Sequence, residues 1–366
     1  MHITQIYLLN LCAFKEMVQQ PTNLKNHFFT IDLLKSIAVQ IIILHHLSNY
    51  GQISYAAREL WPAIFEWLGN YGRYAVEIFL VMGGYLAIKN ISTQVSTKGL
   101  IIPVFNRYLR LVPTYFTALI FTIVCATIAR SFNYELYMGQ PETLWQVLSH
   151  LILLQQILGF ESISLGVWYV AIDWQLYFFF ATIFFFLKSY KKSIFCLSIF
   201  MLSAFCYFSQ ESAYENYFIY FIGVYGLGMI AFLWNDDLHQ STKLLAKVLF
   251  ITFGVIIFSS ILFELSIKNA LAYCVAALLI WKGKLPYQAS SIHWAKYLIW
   301  ISQRSYCAFL IHFSFILLGN TVYFLLGFNN PIVAIMMMAI IMIFSWVAAH
   351  LLYQRIEFPA RTFQIR

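Results

Sequence analysis

About ten stretches between residues 30 and 353 are long and almost wholly apolar: near 30–49, 74–92, 109–129, 166–187, 193–209, 215–234, 244–264, 268–281, 295–318 and 332–353. A helix needs about 20 such residues to cross the hydrocarbon of a bilayer. No water-soluble core of this size could hide them. Of the 366 residues 61% are hydrophobic and 10% charged, whereas soluble domains hold roughly 45–50% apolar and about 25% charged residues. The chain therefore reads as an all-α, polytopic integral membrane protein with about ten transmembrane helices. A segment over 1–29 precedes a single transmembrane domain over 30–361. The eighth run is short for a span, and a further one, 143–158, suits a re-entrant or interfacial helix.

The net charge is +8, but the basic residues are spread over short loops, so nucleic-acid binding has no support. An excess of Lys and Arg in alternate loops marks the cytoplasmic side. Lys89 at the end of the second run, Lys98 and Arg107 after it and Arg110 at the start of the third lie together, Lys188, Lys191 and Lys192 follow the fourth, and Arg355, Arg361 and Arg366 follow the last. The loop over 130–165 instead sets Arg130 against Glu135, Glu142 and Glu161. This asymmetry predicts cytoplasmic N- and C-termini. The six cysteines form no CxxC pair and read as small packing residues, not as disulfides or metal ligands. No cleavable signal peptide is evident, because the first short apolar run meets Lys15, Glu16 and Lys25.

Ionisable groups inside such runs are expensive and point to function. In DLLKSIAVQIIILHH (Asp32–His46), Lys35 and His46 stand eleven residues apart, which overshoots three helical turns by only about 20°. They share one face, roughly 16 Å apart along the axis, with Asp32 within reach of Lys35. His45 points about 100° away. Taken alone, Asp32 and Lys35 could be an interfacial ion pair. Glu77 opens the second run ahead of Gly83-Gly84, where an interfacial glutamate on a small-residue packing face is the plainer alternative. Arg107 and Arg110 lie side by side at a helix start, suited either to lipid anchoring or to a phosphate or carboxylate ligand. Pro113 beyond them should kink the span. In GVWYVAIDWQLYFF, Asp173 needs a partner, with Lys35 and His46 as candidates. Trp168, Tyr169 and Trp174 around it fit sugar stacking or an interfacial aromatic belt. Arg304, Ser305, Tyr306 and His312 interrupt the ninth run, and IEFPAR (356–361) reads as a cytoplasmic cap.

Together these stretches resemble the membrane-bound acyltransferase-3 family. DLLKSIAVQIIILHH is similar to its first-span signature, with Lys35 at an arginine position and His46 at the histidine. YAVEIFLVMGGYLA, FNRYLRLVPTY, VWYVAIDWQLY, RSYCAFLIH and IEFPAR resemble its later motifs in the same order, from residue 30 to residue 361. Lysine keeps the charge of that arginine but loses its planar fork. Glu77 and Asp173 exchange the acids of the family pattern, and Tyr169, Ala171 and Gly83 replace serines.

The resemblance implies acyl transfer, most often of acetyl from cytoplasmic acetyl-CoA to a hydroxyl of an extracytoplasmic glycan such as O-antigen, exopolysaccharide or a lipid-linked sugar, in the bacterial inner membrane. It places the donor on Lys35, Arg107 and Arg110. His46 is then the catalytic base, with Asp173, Glu77 and Asp32 as the acids beside it, and either direct transfer or an acyl-histidine relay is possible. Trp168, Tyr169, Trp174, Tyr306 and His312 are the substrate-binding candidates, and no metal is expected. A transporter or flippase would also use intramembrane charges and broken helices, but the two halves show no paired repeat.

Overall fold

The computed structural model describes residues 28–132, 139–235, 240–262, 267–285 and 292–361. Most of the 1–29 segment, Glu135, Asp236, Asp237 and Arg366 lie outside them. Within the described residues no strand forms, and the long helices are α1 (Phe29–Asn49), α4 (Ala75–Lys98), α5 (Ile101–Phe132), α7 (Val167–Leu187), α8 (Tyr190–Cys206), α9 (Phe218–Trp234), α10 (Gln240–Leu262), α11 (Ile267–Lys282), α12 (Ile292–Leu325) and α13 (Pro331–Leu352), with the shorter α2 (Gln52–Arg58), α3 (Pro62–Tyr71) and α6 (Leu144–Leu151) between them. Among the described residues, eight stretches are helical, long and apolar enough to cross a membrane. The chain is a multi-pass membrane protein. Helices α9 and α11, of 17 and 16 residues, are shorter, and α9 is buried on nearly every side.

Several helices overrun their apolar runs, two of them by seven residues or more. α5 begins at Ile101 and α12 ends at Leu325, beyond the 109–129 and 295–318 that hydropathy marks. Hydropathy reports what lipid requires, whereas the backbone ladder continues through polar residues. Pro113 sits inside α5, and the helix runs on through it.

Helices α1, α5 and α13 pack around α12, while α4, α8, α10 and α11 pack around α9. Helix α4 joins the halves, because α1 and α7 also pack on it. Its contact with α9 is made at two glycines. A Cβ on Gly84 would stand 1.9 Å from the Tyr225 carbonyl oxygen, and one on Gly228 the same distance from that of Val81. With lipid as apolar as a core side chain, close backbone approach of this kind is a main source of helix association. Gly84→Ala should therefore cost at least about 1–3 kcal/mol through overpacking. Its thermal midpoint in detergent should fall, and Gly228→Ala should add less than its separate effect, because both press on one crossing. An unchanged midpoint in both variants would refute the account.

The expected membrane-surface segment forms α6, whose eight residues are too few to cross. Thr143 caps it, accepting from the Gln146 amide at 3.2 Å. His150 binds the Gln146 carbonyl through Nδ1 at 2.7 Å and takes the Ile163 amide on Nε2 at 3.2 Å. Burial pushes this imidazole below its ordinary pKa, which keeps Nε2 an acceptor. Tyr108 and Gln175 donate to the carbonyls of Leu151 and Leu153, both at 2.8 Å, and tie the segment to α5 and α7.

Candidate active site

One face of α1 serves two cavities. Lys35 lines one of roughly 180 Å³ and His46 lines another of roughly 370 Å³. Their lining residues have a single member in common, Phe309 of α12.

The smaller cavity is cationic. Arg107 donates to the Asp173 Oδ2 atom at 2.6 Å, and its guanidinium lies 4.5 Å from the centre of the Tyr177 ring. This arginine is the partner that Asp173 needs, in place of Lys35 or His46. The other carboxyl oxygen, Oδ1, is buried without a hydrogen bond, close to Gly83, where a Cβ would come within 2.8 Å of it. Beyond α13 one turn of π-helix, Tyr353–Glu357, brings the chain back over the cavity. Glu357 takes a hydrogen bond from Arg361 at 2.5 Å and one from the Cys307 thiol at 2.9 Å. IEFPAR is therefore a wall as well as an end. Lys35, Arg107, Arg110 and Arg361 face Asp173 and Glu357 here, four positive charges against two negative. Both carboxylates are engaged by Arg107 and Arg361. Lys35 and Arg110 form no ion pair within salt-bridge distance among the described residues, although the charge of Asp32 acts on Lys35, so the lining residues carry two more positive charges than negative ones.

The larger cavity holds the histidines. His46 Nδ1 lies 2.7 Å from His312 Nε2, with the ring centres 5.0 Å apart and the ring planes within 3° of parallel. His312 Nδ1 lies 3.1 Å from the Ala308 carbonyl oxygen, which can only accept, so this nitrogen bears the proton. His312 Nε2 is then an acceptor and His46 Nδ1 the donor. That assignment, inferred from the partners, leaves His46 Nε2 as a bare nitrogen on a ring that lines the cavity. His45 reaches the same cavity, its Nδ1 held by the Leu68 carbonyl at 2.7 Å.

The same cavity holds a second polar group. Tyr220 donates to Glu215 at 2.9 Å and accepts from Lys268, whose ammonium also lies 4.0 Å from its ring centre. Glu77 is buried on the same wall with Oε2 unpartnered.

The remaining candidates divide. Trp168 lines the histidine cavity, Tyr169 and Tyr306 the cationic one, and Trp174 and His312 neither. Trp174 packs on Tyr108 and Phe178, and His312 is wholly buried behind His46. Asp32 also lines neither cavity: it takes a hydrogen bond from Ser302 at 2.5 Å, fourteen residues and about 21 Å of helix from His46. Sequence reasoning missed Lys268, Tyr220 and Glu215, although a lysine opening a short apolar run was a visible signal. Phe309 gave no signal, being one aromatic among 35 phenylalanines.

The family model described as Acyltransferase domain matches residues 28–350. No curated protein and no solved structure matches the chain.

Proposed function

The chain belongs to the acyltransferase-3 family, and from that premise we propose that it transfers an acetyl group from acetyl-CoA to a hydroxyl of an extracytoplasmic glycan. The observation that carries the reading is the pair of cavities meeting at Phe309, one cationic and the other holding a histidine with a bare nitrogen. Phosphates are the natural ligands of a cavity with two spare cations, so Lys35 and Arg110 hold the CoA end of the donor. Arg107, already tied to Asp173, contributes its remaining N–H groups. Tyr169 and Tyr306 line the path of the pantetheine arm.

The acceptor enters the larger cavity, where Trp168 offers a flat apolar face and Glu77 Oε2 an acceptor for a hydroxyl. His46 Nε2 takes the proton of the attacking hydroxyl as its oxygen adds to the thioester carbonyl. The carbon–sulfur bond then breaks, and the imidazolium returns the proton to the departing thiolate. His312 holds the His46 tautomer throughout, the part a third group plays in a triad. We place the protein in the bacterial cytoplasmic membrane, with the cationic cavity and both termini on the cytoplasmic side. The alternating lysine- and arginine-rich loops support that orientation.

Membrane vesicles from the native host, with the cytoplasmic face outward, should move label from radiolabelled acetyl-CoA to alkali-labile ester on membrane-retained glycan. Label that never leaves CoA would overturn the reading. Charge-assisted hydrogen bonds contribute about 1.5–3 kcal/mol, so Lys35→Ala and Arg110→Ala should each raise the KM for acetyl-CoA by at least about tenfold with little change in kcat. If both variants kept the ordinary KM, this cavity would not be the donor site.

A further inference from the structure

The junction of the two cavities is aromatic. Phe309 shares it with Phe79 and Tyr169, and the three ring centres are 5.9, 5.9 and 5.6 Å apart. Each ring touches the other two, so no side chain separates them. Phe309 is only 3% exposed, and its ring has nowhere to retreat. On one side it presses on Gly166, where a Cβ would lie 3.0 and 3.1 Å from Phe309 Cε1 and Cζ. On another stands His312, 6.4 Å away between ring centres. Phe79 and Tyr169 line only the cationic cavity, whereas Phe309 faces both.

This inference rests on the acyl-transfer reading above. A donor held at Lys35 and Arg110, with its carbonyl carbon within reach of His46, must lay its acyl group against these rings. We propose that Phe309, braced by Phe79 and Tyr169, is the specificity-determining residue for acyl length, admitting a short acyl group and excluding a long one. Such selection is steric: a wall of three packed rings costs a short chain nothing and blocks a long one. One methylene in a pocket changes discrimination by about 10–200-fold, so six further methylenes amply saturate it.

The test compares acetyl-, butyryl- and octanoyl-CoA as donors in vesicles of the native host, with the chromosomal copy deleted and each variant restored. The unsubstituted enzyme should prefer acetyl to octanoyl by at least about 100-fold. Phe309→Ala should narrow that ratio by at least about tenfold, chiefly through faster octanoyl transfer. Phe79→Ala should shift the ratio in the same direction by less, and Phe309→Leu should fall between. The gauge is refuted if the ratios in Phe309→Ala and Phe79→Ala stay within about twofold of the original. It is refuted equally if both variants elute as folded protein yet lose transfer from every donor, since removing a wall should not abolish the reaction. Failure of the unsubstituted enzyme with all three donors overturns the acyl-CoA reading itself and the gauge with it.

Discussion

Replacing His46 by alanine is expected to lower acetyl transfer by about 10²–10⁴, the range a positioned general base contributes. Folding should survive, since the ring lines a cavity and water entering the space it leaves can meet the freed His312 Nε2. His312→Ala should be milder in rate but diagnostic in kind. The His46 ring would lose the acceptor for its Nδ1 proton and sample the other tautomer, so kcat should fall while the KM for acetyl-CoA holds. Retained transfer in His46→Ala at ordinary protein levels would remove the general base. A fall in KM-controlled rate alone for His312→Ala would remove its positioning role.

Asp173→Ala is expected to damage the protein in a different way. Its carboxylate is the partner of Arg107, and the two side chains are 7% and 17% exposed. Removing one member of a buried pair leaves an uncompensated charge, which costs about 3–5 kcal/mol. The thermal midpoint in detergent should drop sharply. Adding Arg107→Met to Asp173→Ala should restore much of it, because a buried pair exchanged for apolar groups of similar volume is often neutral. The double variant should nevertheless bind acetyl-CoA more weakly than the original. If Asp173→Ala melts like the parent, the pair is not a structural element of the cavity.

Much of the fold was legible because the bilayer sets the length of an element. Long apolar runs locate the helices, and the largest boundary errors fall where the ladder outlasts the lipid, as at Ile101 and Leu325. The polar positions inside those runs were legible for the same reason, since each stood against an apolar background. What sequence could not give was adjacency. In a soluble helix the apolar stripe shows which face is buried, but here lipid and protein interior ask for the same side chains. Nothing in the run around His312 says that it meets His46, 266 residues away. Nothing in IEFPAR says that Glu357 and Arg361 return to face Lys35. Lys35 and His46 were legible as sharing a face because one helix carries both and its geometry is fixed. Asp173 was legible as needing a partner, and only packing chose Arg107.

The return of Glu357 and Arg361 also sets a schedule for biosynthesis. The wall of the cationic cavity draws on the first long helix, through Lys35, and on the turn after the last, through Arg361. A ribosome that has inserted α1 through α12 has placed Lys35, Arg107 and Arg110 in the membrane, but not the segment that closes over them. On the proposed reading of this cavity as the donor site, an unfinished chain lacks part of that site, and a product truncated before residue 357 would carry its cations without this enclosure.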